Sequence, residues 1–317
     1  MQVSSSAIWI ATGGNSPPAR DSEGEYGKRI YDETGANTDH LSFVVNRRFA
    51  SLRHDHGAGT RTQQAAYVPT PQIVVDEMIK LAAVTAKDFV VDLGSGDGRI
   101  VITAAKQYQA NGFGVDIDAR LVALSNKNAK EAGVADRAQF FERDMFKTDI
   151  GKANVLMLYV MPDFMIKLRS KVLTELRPGA RVVAHDYYMG EWHPDRMITL
   201  TVPEKVEVNG TDKAYLYLWV VPALVKGPWR IFFDTRGKTQ ELSVLFEQEY
   251  QMLSATGERD GKSMIVEKPT LRGNEISFGL TLGTIRYQLT GQVEGDKIEG
   301  KAVGGKETLN WLARKMP

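Results

Sequence analysis

From position 67 onward the apolar residues alternate between two regular patterns. Ile73, Val75, Met78, Ile79 and Ala82 recur at helical spacing, and Phe89-Val90-Val91 then runs unbroken into Asp92-Leu93-Gly94. Unbroken apolar runs of this length suit strands buried on both faces, as in a parallel sheet. The pattern then predicts helix over 100–108, strand over 112–116, helix over 120–132, strands over 139–143 and 154–160, helix over 163–176 and strand over 180–185. Thr70 before Pro71 predicts a cap followed by the first helical position. Arg177-Pro178-Gly179 stops the fourth helix. Two further strands, 197–202 and 214–221, with no predicted helix between them, should pair as a terminal antiparallel hairpin at the sheet edge. The implied class is α/β: a Rossmann-like open sheet with right-handed crossovers.

Beyond Gly227-Pro228 the segments shorten and alternate, separated by turn signals such as Arg259-Asp260-Gly261, Arg272-Gly273-Asn274 and Glu294-Gly295-Asp296. They predict a C-terminal all-β domain, an antiparallel meander forming a small barrel or curved sheet of about seven or eight strands. Phe232-Phe233 and Leu245-Phe246 are assigned to its core or to an interface. Residues 1–66 are rich in Ser, Gly, Arg, Asp and Asn without steady periodicity, so most of that stretch is expected to be disordered, with 41–45 a short ordered piece. The expected division is 1–66, a first domain over 67–222 and a β-domain over 227–317.

Composition narrows the function. Forty basic residues face thirty-nine acidic ones, so no global field favours nucleic acid or an anionic membrane. The absence of cysteine excludes disulfide scaffolds, thiolate metal sites and cysteine nucleophiles. No apolar run approaches the roughly 20 residues of a membrane span, and the patch over 7–11 is shorter than a signal-peptide core. A soluble, cytoplasmic protein is the expectation.

The informative run is Asp92-Leu93-Gly94-Ser95-Gly96-Asp97-Gly98-Arg99. It follows a predicted strand and opens a predicted helix, the context in which a glycine loop carries meaning. The dinucleotide fingerprint needs a third glycine where Arg99 stands, and no Gly-Lys-Ser/Thr follows for a phosphate loop. Two carboxylates here would repel a pyrophosphate but attract a cationic amine. S-adenosylmethionine fits: it has no phosphate and carries an ammonium and a sulfonium. Gly94, Ser95, Gly96 and Gly98 let the backbone approach such a ligand, and Asp92 can hold its ammonium. Asp116, 24 positions after Asp92, is placed for the ribose hydroxyls, close to the roughly 20 expected in nucleoside-binding folds. Asp144 is placed for the adenine amino group, with Met145 near the ring.

These residues resemble the motifs of class I, seven-stranded S-adenosylmethionine-dependent methyltransferases. Together with Tyr67-Val68-Pro69-Thr70-Pro71, the region 67–192 resembles the group containing the ATP synthase c-subunit lysine methyltransferase and its microbial relatives. The resemblance implies methyl transfer to a protein lysine and includes Thr70 among the cofactor contacts. The membrane-anchoring segment of the eukaryotic members is not found. Methyl transfer needs position and desolvation more than a dedicated base. The acceptor is expected beyond the fourth and fifth strands, at the switch region of the sheet.

The fourth strand ends Leu158-Tyr159-Val160-Met161-Pro162, without the Asn/Asp-Pro-Pro-Tyr/Phe run used on base or glutamine amino groups, which speaks against nucleic acid as partner. Tyr67, folding back over the sulfonium end, and Tyr159 are expected to wall the methyl. His185 or Asp186 is expected to orient the amine, within a 185–192 loop that completes the wall. Lys167, Arg169 and Lys171 are read as a solvated helix face, and no metal is expected. A small-molecule acceptor, or an inert nucleotide fold recruiting a partner through the β-domain, are the alternatives.

Overall fold

The computed structural model describes residues 67–235 and 238–317. The expectations for 1–66, including the 41–45 piece, lie outside the described residues. Strands β1 (Phe89–Leu93), β2 (Asn111–Asp116), β3 (Ala138–Glu142), β4 (Val155–Leu158) and β5 (Arg181–His185) are parallel. β6 (Arg196–Thr201) and β7 (Lys213–Val220) add the antiparallel hairpin, giving the order β3-β2-β1-β4-β5-β7-β6. The order reverses between β1 and β4, so the carboxyl ends of these strands open onto the crevice where such sheets bind ligands.

Side-chain alternation explains why both faces are covered. Val90, Met157 and Val183 face helices α1 (Gln72–Leu81) and α2 (Arg99–Tyr108) through Val75, Met78, Ile79 and Ala104. Val91, Leu156, Leu158 and Val182 face the opposite way, toward Met165, Leu168 and Val172 of α4 (Pro162–Glu175). Helix α3 (Ala119–Glu131) closes a smaller cluster with Phe140 of β3. No helix among the described residues is long and apolar enough to cross a membrane.

Two sequence expectations fail here. A short helix, α5 (Lys205–Asn209), lies between β6 and β7. Five residues are less than two turns, so no apolar period could announce it. Nor does Thr70 cap α1: the helix begins at Gln72 after Pro71, and no side chain caps it. Thr70 is buried, and its carbonyl accepts a hydrogen bond from Arg99 Nη1 at 2.8 Å.

The β-region is a closed, eight-stranded antiparallel barrel. Its strands are β8 (Gly227–Thr235), β9 (Lys238–Glu249), β10 (Met252–Arg259), β11 (Lys262–Arg272), β12 (Glu275–Leu282), β13 (Ile285–Glu294), β14 (Lys297–Gly304) and β15 (Glu307–Lys315), with β15 closing on β8. Eight strands leave an interior that side chains fill. Phe278 sits edge-on to both Phe246 and Trp311, each at 5.6 Å, with Trp229 and Tyr287 in the same cluster. Alternation divides the predicted apolar pairs: Phe233 and Phe246 are buried, whereas Leu245 is exposed.

Candidate active site

The chain turns sharply at the carboxyl end of β1. Gly94 and Ser95 both donate to the Val115 carbonyl at 2.9 Å, and Gly98, at φ +82°, leads directly into α2. Gly96 is required twice over. Its φ of +53° disfavours other residues, and a Cβ there would stand 2.4 Å from the Tyr67 ring. Tyr67 therefore lies directly on the loop. Ser95 Oγ is buried without a hydrogen-bond partner among the described residues, an unsatisfied group that a ligand could complete.

Acids converge on this loop. Asp92 is 2% exposed, and burial together with the charges of Asp116 and Asp97 pushes its carboxyl up to about 8. Asp116, closing β2, accepts the Gly96 N–H at 3.1 Å on one oxygen and the Asp118 N–H at 3.0 Å on the other. Each oxygen keeps a lone pair for another donor. Asp144, beyond β3, accepts the Phe146 N–H at 2.8 Å. The Met145 methyl lies 4.0 Å from where a Cβ on Gly94 would stand.

Asp97 behaves differently from the sequence reading. Its carboxylate takes Arg99 Nη2 at 2.6 Å and Nε at 2.9 Å. Burial raises its pKa, but the Arg99 hydrogen bonds and charge prevail and hold it below the usual carboxylate range. Asp97 is thus spent on the protein's own cation. The same Arg99 reaches Thr70, and Tyr67 interacts with Asp97, its hydroxyl pushed up to about 12 by burial and that charge. Arg99, noted in the sequence only as a mismatch to the dinucleotide motif, is the latch that fastens the segment before α1 onto the loop.

Beyond the carboxyl ends of β4 and β5 aromatic rings gather. Tyr159 lies 4.1 Å from His185, centroid to centroid, and 6.3 Å from Tyr187 at an interplanar angle of 12°. Tyr188 lies 6.1 Å from Tyr217. His185 is 1% exposed; burial outweighs the Asp186 carboxylate and, aided by the Lys205 charge, depresses its pKa to about 4. It is a neutral ring backing Tyr159.

Asp186, at φ +62°, accepts Lys205 Nζ at 2.5 Å and the Tyr215 N–H at 3.0 Å. Each carboxylate oxygen thus already accepts one donor of the protein, and one of those donors is a cation. Lys205, 3% exposed on α5, also stands 3.5 Å from His185 Nε2. The sequence reading missed it, the one available signal being a lysine set between Val202 and Val206.

Two more expectations are corrected. Of the 185–192 loop expected to complete the wall, Trp192 is fully buried, its Nε1 donating to Gln251 Oε1 at 2.9 Å. Arg169 is no solvated charge, since it donates to the Met189 carbonyl at 3.1 Å and lies over the Tyr250 ring. Among the described residues, no group of His, Asp and Glu is arranged to hold a metal.

An open parallel sheet with a glycine loop after its first strand, and acids ending the first three, defines a class I S-adenosylmethionine-dependent methyltransferase. The site fits that ligand: Asp92 sits among acids that a cation would relieve, and the buried Ser95 hydroxyl has no partner among the described residues. Comparison with known proteins carries this further. A sequence model of the ANTKMT methyltransferase domain matches residues 92–196. A protein-lysine N-methyltransferase of Saccharolobus islandicus (strain REY15A) is 37% identical over 156 residues, 49% of this chain and 92% of the relative. The chain belongs to this methyltransferase family.

The human ATP synthase c-subunit lysine N-methyltransferase is 32% identical over 132 residues, 41% of this chain, so the chain spans only 55% of that relative's length. Among solved structures, an RNA methyltransferase from Salinibacter ruber in complex with S-adenosyl-L-homocysteine is 46% identical, with a TM-score of 0.45, covering 50% of this chain and 96% of that one.

Proposed function

We propose that this enzyme methylates the side-chain amine of a protein lysine. The observation that carries the reading is the Tyr159–His185–Tyr187 stack, whose one histidine, depressed to about 4, is too weak a base to take an ammonium proton and whose one carboxylate, Asp186, is already bound by Lys205. Such a wall is aromatic and offers no dedicated base. It suits a thin aliphatic amine that gives its proton to water, and it suits poorly a phenol or carboxylate needing activation. The names of the relatives in archaea and animals support the same acceptor.

When bound, S-adenosylmethionine supplies a methyl carbon activated by its sulfonium. The chain supplies position and exclusion of water. Asp92 is proposed to pair with the ligand ammonium, Asp116 with the ribose hydroxyls, and Asp144 and Met145 with the adenine. Gly94, Ser95, Gly96 and Gly98 furnish the backbone surface. Tyr67, latched through Asp97 and Arg99, is proposed to cover the methyl, with Tyr159 opposite; Thr70 serves through its backbone.

The test is transfer from methyl-tritiated S-adenosylmethionine to fractionated host protein, RNA and small molecules, followed by mass spectrometry of labelled products. Label on lysine Nε supports the reading. Label confined to RNA, to metabolites, or to carboxyl or phenol oxygens overturns it.

A further inference from the structure

The loop after β5 has two ends with different surroundings. At its start, Tyr187 and Tyr188 stand beside Tyr159 and Tyr217. At its far end the partners come from the barrel. Gln251 accepts from Trp192 Nε1 at 2.9 Å and donates through Nε2 to the His193 carbonyl at 2.7 Å. Tyr250 stacks on Trp192 at 6.0 Å and 17°, and the Trp192 carbonyl accepts Trp219 Nε1 at 2.8 Å. One two-residue turn, between β9 and β10, thus holds a side chain and the backbone of the acceptor loop together.

That turn is built at a cost. Tyr250 has φ +53°, where a two-residue hairpin favours glycine, and a bulky residue there is an outlier. In the barrel's other described hairpin turns the first position, also at positive φ, is held by Gly273, Gly283, Gly295, Gly305 and, once, by the small polar Asp260. A tyrosine is retained at the one turn whose ring meets Trp192 and Arg169. Strain of this kind persists only where surrounding contacts over-determine it.

We infer that Tyr250 and Gln251 are positioning residues for acceptor recognition: the barrel's β9–β10 turn fixes the 187–193 loop and thereby the aromatic wall, while leaving the cofactor loop untouched. The inference rests on the acceptor reading above. It gives the barrel a role in the reaction that requires no ligand of its own.

The test uses the full chain and two variants. Tyr250→Gly removes the ring but suits the turn's backbone, so the hairpin keeps its fold; Gln251→Ala removes both hydrogen bonds. Hydrogen exchange should quicken by about tenfold at amides 187–193 in each variant, the equivalent of losing one or two net hydrogen bonds, and stay unchanged at 94–98. S-adenosylhomocysteine affinity should stay within about twofold, while the KM for a host-protein mixture rises about tenfold with kcat largely kept. Gln251→Glu, which retains the acceptor for Trp192 Nε1 but not the donor to His193, should fall between.

Unchanged exchange at 187–193 in both variants overturns the inference. So does a loss of S-adenosylhomocysteine affinity in step with transfer. A labelled product other than lysine would overturn the proposed acceptor yet leave the exchange result standing, so the two failures are distinguishable.

Discussion

Asp92 makes cofactor binding a proton-coupled event. In the free enzyme its carboxyl is raised to about 8 by burial and by Asp116 and Asp97. At pH 7 it is therefore mostly protonated. A ligand ammonium favours the carboxylate, so binding at pH 7 should expel close to one proton. The dissociation constant should fall about tenfold per pH unit between pH 6 and 7.5, worth about 1.4 kcal/mol per unit. The gain must level off near pH 8, where Asp92 is already ionised in the free enzyme.

Calorimetry with S-adenosylhomocysteine in phosphate and in Tris at pH 7 reads the proton number from the dependence of heat on buffer ionisation enthalpy. Release of most of one proton is the expected result for one group titrating near 8. Asp92→Asn should bring it below about 0.2 and flatten the pH dependence of affinity. No proton release from the native enzyme, or full release from Asp92→Asn, would refute the pairing.

Three further outcomes follow from the same geometry. Asp116→Ala should weaken S-adenosylhomocysteine binding by about 2–3 kcal/mol, through lost charge-assisted bonds and a loosened Gly96; calorimetry giving an unchanged constant in a folded variant would mean the ribose is held elsewhere. Lys205→Met leaves Asp186 buried without its cation and should cost about 3–5 kcal/mol of stability, most of it recovered in the double variant with Asp186→Asn; denaturant melts that show no such recovery would refute the pairing argument. His185 is depressed to about 4 in the folded chain against about 6.5 unfolded, so its contribution is complete above pH 6.5 and is lost as pH falls toward 4, by about 3 kcal/mol. Melting temperatures of His185→Phe should lose that part of the acid slope, and an unchanged slope would place the titration in another group.

The sheet was legible because burial leaves a direct trace in sequence. Phe89-Val90-Val91 and Val182-Val183-Ala184 are apolar on successive positions since α1 covers one face and α4 the other. Boundaries moved by a residue or two because periodicity reports burial and not hydrogen bonding; Arg99 belongs to α2 although its side chain serves the loop. Barrel closure leaves no such trace. Turn signals announce each hairpin, but the pairing of Trp311 with Phe233 joins residues far apart in the chain and depends on twist accumulated over eight strands.

At the site, the legible residues were those fixed by topology. An acid at the end of a strand stands at the crevice whatever its neighbours do, which is why Asp92, Asp116 and Asp144 could be placed from spacing. What sequence could not show was which charges the protein would spend on itself. Asp97 and Asp186 looked as available as Asp92, yet Arg99 takes the first at two residues' distance and Lys205 the second from a five-residue helix. Asp92 differs only in having no cation of its own among these pairs, and that difference sets its chemistry. A buried carboxyl surrounded by like charge keeps its proton, whereas a paired one does not. A buried acid left unneutralised is therefore one for which a cationic ligand changes the protonation state. Trp192 completes the argument from the other side: an aromatic residue beside a catalytic loop reads as a wall of the site until its partners, Tyr250 and Gln251 of the barrel, show it to be the loop's anchor.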